Sequence, residues 1–438
     1  MEKNKKPNSG LSYTLKGVMI AGLSLFLLIP SCLVQNLVNE RKQTRDEAVV
    51  KIDNKWSLPQ TISGPVLSLP FTKLVDGDKD GKYSRSETLN ITPEKLVINC
   101  KLFPEERYYS IYKTIVYKSI VTMEGEFAAV DTALLPVDAI SVGRPYVKIG
   151  MSDRRGITGD PVFEMSGRSF ELATGSNPDN LMGELLVVDL KDMQLDERML
   201  FSISFELKGS SSVNFLPVGQ TSIVNVEGQW PDPGFIGNYT PDYTLSDGGF
   251  EAKWEVSRFN RNMPDVWYDG DNIYSERDIS FGVNLVDMVD VYQQSLRSTK
   301  YALMFIVLTF VVFFFVEIFT HKKIHPIQYV LVGVALVLFY SLLISLAEML
   351  GFGFAYLISS VATIGLITAF AGAIFKDRKP TITLAVILSA LYAFLYVILQ
   401  LEEAALLAGS IGLFVILGVI MYVSNKIKWY NEPGADTE

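Results

Sequence analysis

The residues whose types and spacing come nearest to a chemical site lie between Asp76 and Glu87. Asp76, Asp78 and Asp80 occupy alternate positions, and Gly81 and Glu87 follow. This spacing matches the calcium loop in which alternate oxygen ligands surround the cation and a final Glu closes the site. However, the flanks have the composition of strands rather than helices, and Asp and Gly also suit the exposed turn of a β-hairpin. Two interpretations stay open, a calcium loop and a charged hairpin turn.

Four carboxylates within or beside apolar segments form a second group of candidates: Glu317, Glu348, Glu402 and Glu403. An acidic side chain inside a bilayer is costly, and it often marks an ion or proton path. Each of the four also lies near the end of its apolar segment, where it can reach water or a basic side chain. A transport site and an ordinary interfacial position are therefore both consistent with the sequence.

Signatures of enzymes are missing from the sequence. Its only histidines, His321 and His325, lie close together between two apolar segments. The long polar region therefore contains no Ser–His or Cys–His pair and no zinc ligand set. No glycine pattern for binding a nucleotide occurs either. We expect a protein without enzyme activity and without a cofactor.

The elements that position these residues include six apolar segments. About 20 apolar residues are needed for a helix to cross a bilayer. The candidate spans are 18–34, 302–319, 327–349, 354–375, 382–399 and 404–423. Pro30 lacks the N–H that would bond to the carbonyl of Phe26, so a kink is expected in the first span. The pattern predicts a membrane protein with one span at the start and five at the end.

Basic residues in the short loops predict the orientation, because Lys and Arg are retained on the cytoplasmic side. The turns after the second and fourth spans are basic, whereas the turns at 350–353 and 400–403 contain no Lys or Arg. The tails before the first span and after the last are also basic. Both termini are therefore expected in the cytoplasm and the long polar region outside it.

The region between the first and second spans has the composition of a β-rich domain. Short runs of β-branched and aromatic residues alternate with Gly, Pro, Asn and Asp, which is typical of an antiparallel sandwich. Helical stalks are expected at its two ends, over 35–56 and 286–297. The predicted divisions are a tail at 1–17, a span at 18–34, the stalked β domain at 35–298, a five-helix bundle at 299–424 and a tail at 425–438.

Net charge and cysteine content exclude some classes of partner and fold. The formal net charge of −9 makes nucleic acid an unlikely partner. Cys32 lies in the first span and Cys100 in the β domain, so these two cysteines are not expected to pair. The expected partners are the lipid bilayer and other proteins of the envelope.

Short motifs spread in order over the whole chain resemble the CreD family of bacterial inner-membrane proteins. The motifs in the first half are Leu28-Ile29-Pro30, Leu37-Val38-Asn39-Glu40-Arg41, Arg45-Asp46-Glu47-Ala48 and Gly64-Pro65-Val66. Those in the second half are Leu216-Pro217-Val218-Gly219, Trp230-Pro231, Gly249-Phe250, Phe281-Gly282-Val283, Lys300-Tyr301-Ala302, His325-Pro326 and Leu331-Val332-Gly333.

The resemblance implies an inner-membrane protein with a large periplasmic domain. It also implies a role in envelope integrity, in tolerance of colicins and in the response to cell-wall stress. It supplies no catalytic residue. We therefore expect a non-enzymatic binding or scaffolding protein that acts through its β domain. Two alternatives remain, a transporter or channel through the helix bundle and a sensor of a periplasmic ligand.

Overall fold

A computed structural model describes residues 9–76, 82–131, 134–175, 183–269, 271, 279–285, 291–320, 322–401 and 404–427. The chain divides into a helical unit, Met1–Arg45 with Val289–Glu438, and a β unit, Asp46–Met288. Six helices are long and apolar enough to cross a membrane, one near the N-terminus and five near the C-terminus. The fold expected from the sequence, one span and then five spans around a large all-β region, is confirmed.

The helical elements follow the apolar segments of the sequence closely. The first span combines α1 and α2, which are separated at Leu27. This break is where Pro30 deprives the carbonyl of Phe26 of its donor. The helices are α1 (Ser9–Phe26), α2 (Leu28–Trp56), α3 (Val291–Lys300), α4 (Ala302–Thr320), α5 (Pro326–Leu350), α6 (Phe352–Phe375), α7 (Arg378–Gln400) and α8 (Ala405–Ser424).

Burial is unequal among the C-terminal helices. The interior of the bundle is formed by α4 and α5, with buried side chains such as Phe310, Phe313 and Tyr329. In contrast, no residue of α8 is buried. A helix that is apolar all round and unburied in its own chain is suited to contact with lipid.

The described residues of the β unit form two sheets. The eight-stranded sheet has the order β15-β16-β13-β3-β4-β11-β7-β8. Its strands are β3 (Lys95–Tyr109), β4 (Tyr112–Phe127), β7 (Ile157–Met165), β8 (Arg168–Glu171), β11 (Met199–Ser210), β13 (Thr221–Gly228), β15 (Asp242–Ser246) and β16 (Gly249–Ser257).

The ten-stranded sheet has the order β14-β18-β12-β1-β6-β10-β9, with β2 and β5 paired to β1, and β17 paired to β2. Its strands are β1 (Gln60–Asp76), β2 (Lys82–Ile91), β5 (Ala139–Val142), β6 (Tyr146–Met151), β9 (Ala173–Gly175), β10 (Glu184–Asp189), β12 (Ser212–Phe215), β14 (Gly234–Gly237), β17 (Val266–Tyr268) and β18 (Phe281–Asn284).

The inner faces of the two sheets form one continuous core. Along β16 every second residue is buried, from Phe250 through Ala252 and Trp254 to Val256. The same alternation lines the core with residues of the other sheet, such as Phe215 and Phe281. The charged residues between these positions therefore project from the opposite face, toward solvent.

Two strand pairings of the otherwise antiparallel domain are parallel, which the sequence did not predict. β1 pairs with β12 in parallel, and β3 pairs with β13 in parallel. Parallel strands need a long connection, and the paired residues Asn99 and Asn225 are 126 positions apart. Alternation along each strand is the same for both kinds of pairing, so it does not reveal the direction of the neighbouring strand.

Within the β unit, the end of α2 is attached by aromatic and ionic contacts. The Trp56 ring lies 5.0 Å from the Arg107 guanidinium and 5.2 Å from the Lys208 ammonium, and its indole N–H donates to the carbonyl of Tyr117 at 3.3 Å. Cations over an indole face are attracted by its π-electrons. These contacts fix the last turn of α2 against β3, β4 and β11.

The residues after α2 bind to a buried carboxylate. Asp153 accepts hydrogen bonds from the N–H of Leu58 at 3.0 Å and from the hydroxyl of Ser57 at 3.2 Å. The guanidinium of Arg155 donates to both carboxylate oxygens, each at 2.9 Å. Gln60 also donates to the carbonyl of Asp153 at 2.9 Å. Asp153 therefore connects the segment between α2 and β1 to the turn before β7.

Candidate binding site

The candidate site is built from two adjacent rows of side chains on the solvent face of the eight-stranded sheet. Because strands in register place paired residues side by side, each row crosses five strands, from β16 through β13, β3 and β4 to β11. The first row is Lys253, Asn225, Asn99, Thr122 and Ser204, and the second is Glu251, Glu227, Lys101, Ile120 and Glu206.

Contacts between neighbours fix the side chains at the centre of these rows. The amide of Asn225 donates to the amide oxygen of Asn99 at 2.8 Å. Lys101 forms an ion pair with Glu227 at 2.8 Å, although both side chains are about half exposed. Such a pair adds little stability. Its effect is to hold one positive and one negative group in defined positions on the surface.

The parts of the two rows on β16, β13, β3 and β4 form the floor of a groove of about 710 Å³, and β15 forms one wall. Asp242 and Thr244 of β15 pair with Lys253 and Glu251 and therefore share the solvent face, whereas Tyr243 pairs with Ala252 and its ring lies on the inner side, 4.7 Å from that of Phe235. All five residues of β15 are exposed, and its one described pairing is with β16. The opposite edge of β15 therefore presents backbone groups beside the groove.

The groups around the groove can form hydrogen bonds and ion pairs. They are amides, hydroxyls and opposite charges, with the apolar side chain of Ile120 beside them. Cys100 lies on the core side of β3, and burial raises the pKa of its thiol to about 12. It is therefore not a nucleophile. Across the described residues, no group of His, Cys, Asp or Glu is arranged to hold a metal ion.

The two described acidic residues of the candidate calcium loop, Asp76 and Glu87, lie on the paired strands β1 and β2. Asp76, the last residue of β1, pairs with Lys82 of β2, whereas Glu87 pairs with Phe71 five pairs further along. Five pairs correspond to about 17 Å at the usual rise of a strand. Glu87 instead binds Lys73 at 2.8 Å and Arg85 at 3.2 Å. Asp78 and Asp80 lie outside the described residues.

The carboxylates of the helical unit are held by partners in that unit. Glu317 of α4 forms an ion pair with Lys16 of α1, and it accepts hydrogen bonds from the Tyr329 hydroxyl at 3.1 Å and the N–H of Ile324 at 3.2 Å. Its side chain is only 8% exposed. Glu317 is therefore bound to a basic side chain, which is one of the two situations that the sequence left open. Lys16 is the partner that sequence analysis missed.

The other candidates near the spans have separate surroundings. Glu348 accepts a hydrogen bond from the Tyr292 hydroxyl at 3.2 Å. His325 caps α5: its Nδ1 accepts from the backbone N–H of Ile327 at 3.4 Å, and its own backbone N–H donates to the side chain of Gln328 at 2.9 Å. Glu402, Glu403 and His321 lie outside the described residues. The described candidates Glu317 and Glu348 are therefore bound to different groups.

Sequence analysis missed the residues of the groove. Alternation along β3 and β13 marks Asn99, Lys101, Asn225 and Glu227 as polar positions on one face of each strand. That signal identifies which residues face solvent. It does not show that β3 and β13 are neighbours, and only their pairing brings the four side chains together.

Comparison with known protein families identifies a family whose sequence model matches nearly the whole chain. The sequence model of the family described as "Inner membrane protein CreD" matches residues 12–430. Inner membrane protein CreD of Escherichia coli (strain K12) is 30% identical over 420 residues, which cover 95% of this chain and 93% of that protein.

Similarity to solved structures is slight. An M1 zinc metallopeptidase from Deinococcus radiodurans matches with a TM-score of 0.21 and 8% identity over 45% of this chain and 42% of its own length. Native yeast LTA4 hydrolase matches with a TM-score of 0.21 and 8% identity over 51% of this chain and 35% of its own length. The chain thus spans less than half the length of these two enzymes, and scores this low support no conclusion about activity.

Proposed function

This chain belongs to the CreD family of inner-membrane proteins, and from that premise we propose that it maintains the integrity of the cell envelope by binding another envelope protein. The groove beside β15 carries this proposal. Its floor holds paired amides and a fixed ion pair, and its wall is an edge strand. The binding is non-enzymatic, and the β unit acts as a scaffold.

The proposed location of the β unit is the periplasm. The turn that contains Lys322 and Lys323 is basic, and so is the turn from Lys376 to Lys379. The intervening turn at Gly351 has no basic residue nearby. Since basic loops are retained in the cytoplasm, this alternation supports cytoplasmic termini and an exported β unit. The groove would then face proteins of the envelope.

An extended segment of a partner protein fits the groove best. The segment would lie along the groove beside the two rows, and the part that continues past β15 could form backbone hydrogen bonds with the free edge of that strand. Ile120 would supply apolar contact, and Lys101 and Glu227 would select for charge. Side chains that are already held by their neighbours lose little entropy on binding.

The test is survival of a deletion strain under stress from detergent and from antibiotics that act on the cell wall. Glu227→Lys places two positive charges at the centre of the groove, so we expect survival close to that of the deletion strain. Glu171→Lys makes the same change at an exposed position of β8, at the opposite edge of the same sheet, and should restore full survival. Exposed substitutions of this kind change stability little.

Full rescue by Glu227→Lys would contradict the proposed groove. A second arm uses a protein that retains its spans but lacks residues 60–280. Rescue by that protein would place the function in the helix bundle and favour the transporter alternative. Equal survival of the deletion and complemented strains would contradict the role in envelope integrity.

A further inference from the structure

Two turns at one end of the helix bundle carry five basic residues, and they belong to the helical unit rather than to the groove of the β unit. Lys322 and Lys323 follow α4, and Lys376, Arg378 and Lys379 surround the start of α7. All five residues are exposed. We refer to these five residues as the basic cluster.

The fold brings the two basic turns together. The ammonium group of Lys322 donates a hydrogen bond to the carbonyl of Phe375, the last residue of α6, although 53 positions separate the two residues. Deeper in the bundle, the ring of Phe305 on α4 lies 4.5 Å from that of Tyr392 on α7. These two rings are about equally far from the end of α4 and the start of α7. The end of α4 and the start of α7 therefore meet at the basic cluster.

The nearby carboxylates are engaged elsewhere. Asp377 lies within the second turn, and its carboxylate caps α7 by accepting a hydrogen bond from the backbone N–H of Lys379 at 3.2 Å. Glu317, near the end of α4, is bound to Lys16. None of the five side chains of the basic cluster forms an ion pair with a described residue. The described part of the chain therefore leaves an excess of positive charge at the cluster, and such a patch attracts anions.

The length of α7 places the basic cluster at the level of the lipid headgroups. This helix is long and apolar enough to cross a membrane, and it has 23 residues, or about 35 Å at the usual rise. The hydrocarbon layer is about 30 Å thick. The first turn of α7, which begins at Arg378, therefore lies at the edge of that layer, where phosphate groups are the abundant anions.

An exposed apolar stripe continues from the basic cluster along α7. Arg378, Ile382 and Val386 follow one another at four-residue spacing, which places them on one face of the helix. Ile382 and Val386 are each 61% exposed, and Phe319 near the end of α4 is 51% exposed. A ligand with an anionic head and an apolar chain would contact both the cluster and the stripe. A free phosphate ion would contact only the cluster.

We propose that the basic cluster binds the headgroup of an anionic phospholipid, with the phosphate between the turn after α4 and the turn before α7. Basic pockets between membrane helices are typical sites for such headgroups. The Arg378 guanidinium can bind two phosphate oxygens, and Lys323 adds a second positive charge. One acyl chain lies along Ile382 and Val386. A zwitterionic lipid fits less well, because the cluster repels the cationic group of its head.

The experiment measures lipid binding to the full-length protein by native mass spectrometry in detergent. The probes are phosphatidylglycerol and phosphatidylcholine with identical acyl chains, so they differ only in the headgroup. The wild type should bind the first phosphatidylglycerol at least about 25-fold more tightly, because each basic residue beside an anionic headgroup contributes about fivefold. Lys323→Gln combined with Arg378→Gln should remove most of this preference and leave the affinity for phosphatidylcholine unchanged. Both positions are exposed, so the double variant should fold normally.

Two controls separate the site from a general effect of charge. Lys300→Gln combined with Lys426→Gln removes two exposed basic residues beside other spans and should keep the preference for phosphatidylglycerol. Glycerol 3-phosphate carries the phosphate without acyl chains and should not bind at millimolar concentration. Equal affinity of the wild type for the two lipids would overturn the proposal, and so would an equal loss of preference in both double variants. Binding of glycerol 3-phosphate as tight as that of phosphatidylglycerol would identify a free phosphate as the ligand and overturn the lipid site.

Discussion

At the scale of single residues, Asp153 has the contacts that make a carboxylate responsive to pH. Burial opposes its ionisation, but the Arg155 guanidinium and the N–H groups of Leu58 and Arg155 outweigh burial and lower the pKa of Asp153 to about 2. A carboxyl group whose pKa is lower in the folded state stabilises the fold at neutral pH. That contribution is lost as the pH falls from about 4 to about 2.

We expect Asp153→Asn to destabilise the β unit by about 2 kcal/mol at pH 7 and by roughly half as much at pH 3, because the wild type has lost part of the contribution there. The measurement is guanidinium unfolding of the full-length protein, followed by tryptophan fluorescence at both pH values. Asp160→Asn, at an exposed position of β7, serves as the control. An equal loss of stability at both pH values would rule out the ionic role of Asp153.

Cys100 is a residue for which burial predicts chemical inertness. Its pKa of about 12 leaves almost no thiolate at neutral pH, and the thiolate is the reactive form. In a Cys32→Ser background, maleimide at pH 8 should therefore not label the native protein and should label it rapidly in guanidinium. Rapid labelling of the native protein would show that the core opens around β3.

At the scale of elements, the ion pair between Lys16 and Glu317 connects α1 to α4. Removal of one partner leaves a buried charge alone, which typically costs about 3–5 kcal/mol, whereas removal of both costs far less. We expect Lys16→Met and Glu317→Gln each to lower thermal stability in detergent. The double variant should be more stable than the sum of the two effects predicts. Additive losses would show that the two side chains do not interact.

Elements with a strong local pattern could be predicted from the sequence. The five C-terminal spans are found within a few residues of their expected bounds, because a long apolar run leaves few alternatives. The apolar residues Phe250, Ala252, Trp254 and Val256 alternate with polar ones, a pattern that predicts a strand, and they lie on β16. The parallel pairing of β3 with β13 was not predicted, and neither was the groove that depends on it. Both arise from contacts between residues that are far apart in sequence.

At the scale of the whole molecule, the distribution of basic residues makes a prediction about sidedness. Alkaline phosphatase inserted between Asp247 and Gly248, in the turn after β15, should be active because it folds only after export. Green fluorescent protein fused after Glu438 should fluoresce because that end is expected in the cytoplasm. An inactive phosphatase together with a dark fluorescent protein would contradict the proposed topology and indicate the opposite orientation.

The pairing of β3 with β13 also has a consequence for the order in which the β unit folds. Asn99 and Asn225 lie side by side but are 126 positions apart, so β3 must wait for its neighbour while most of the unit is synthesised. Closing so long a loop is slow. Until residues 221–228 emerge, one edge of β3 is unpaired and open to aggregation. A chain stalled before that point would therefore need a chaperone on the side of the membrane where the unit folds.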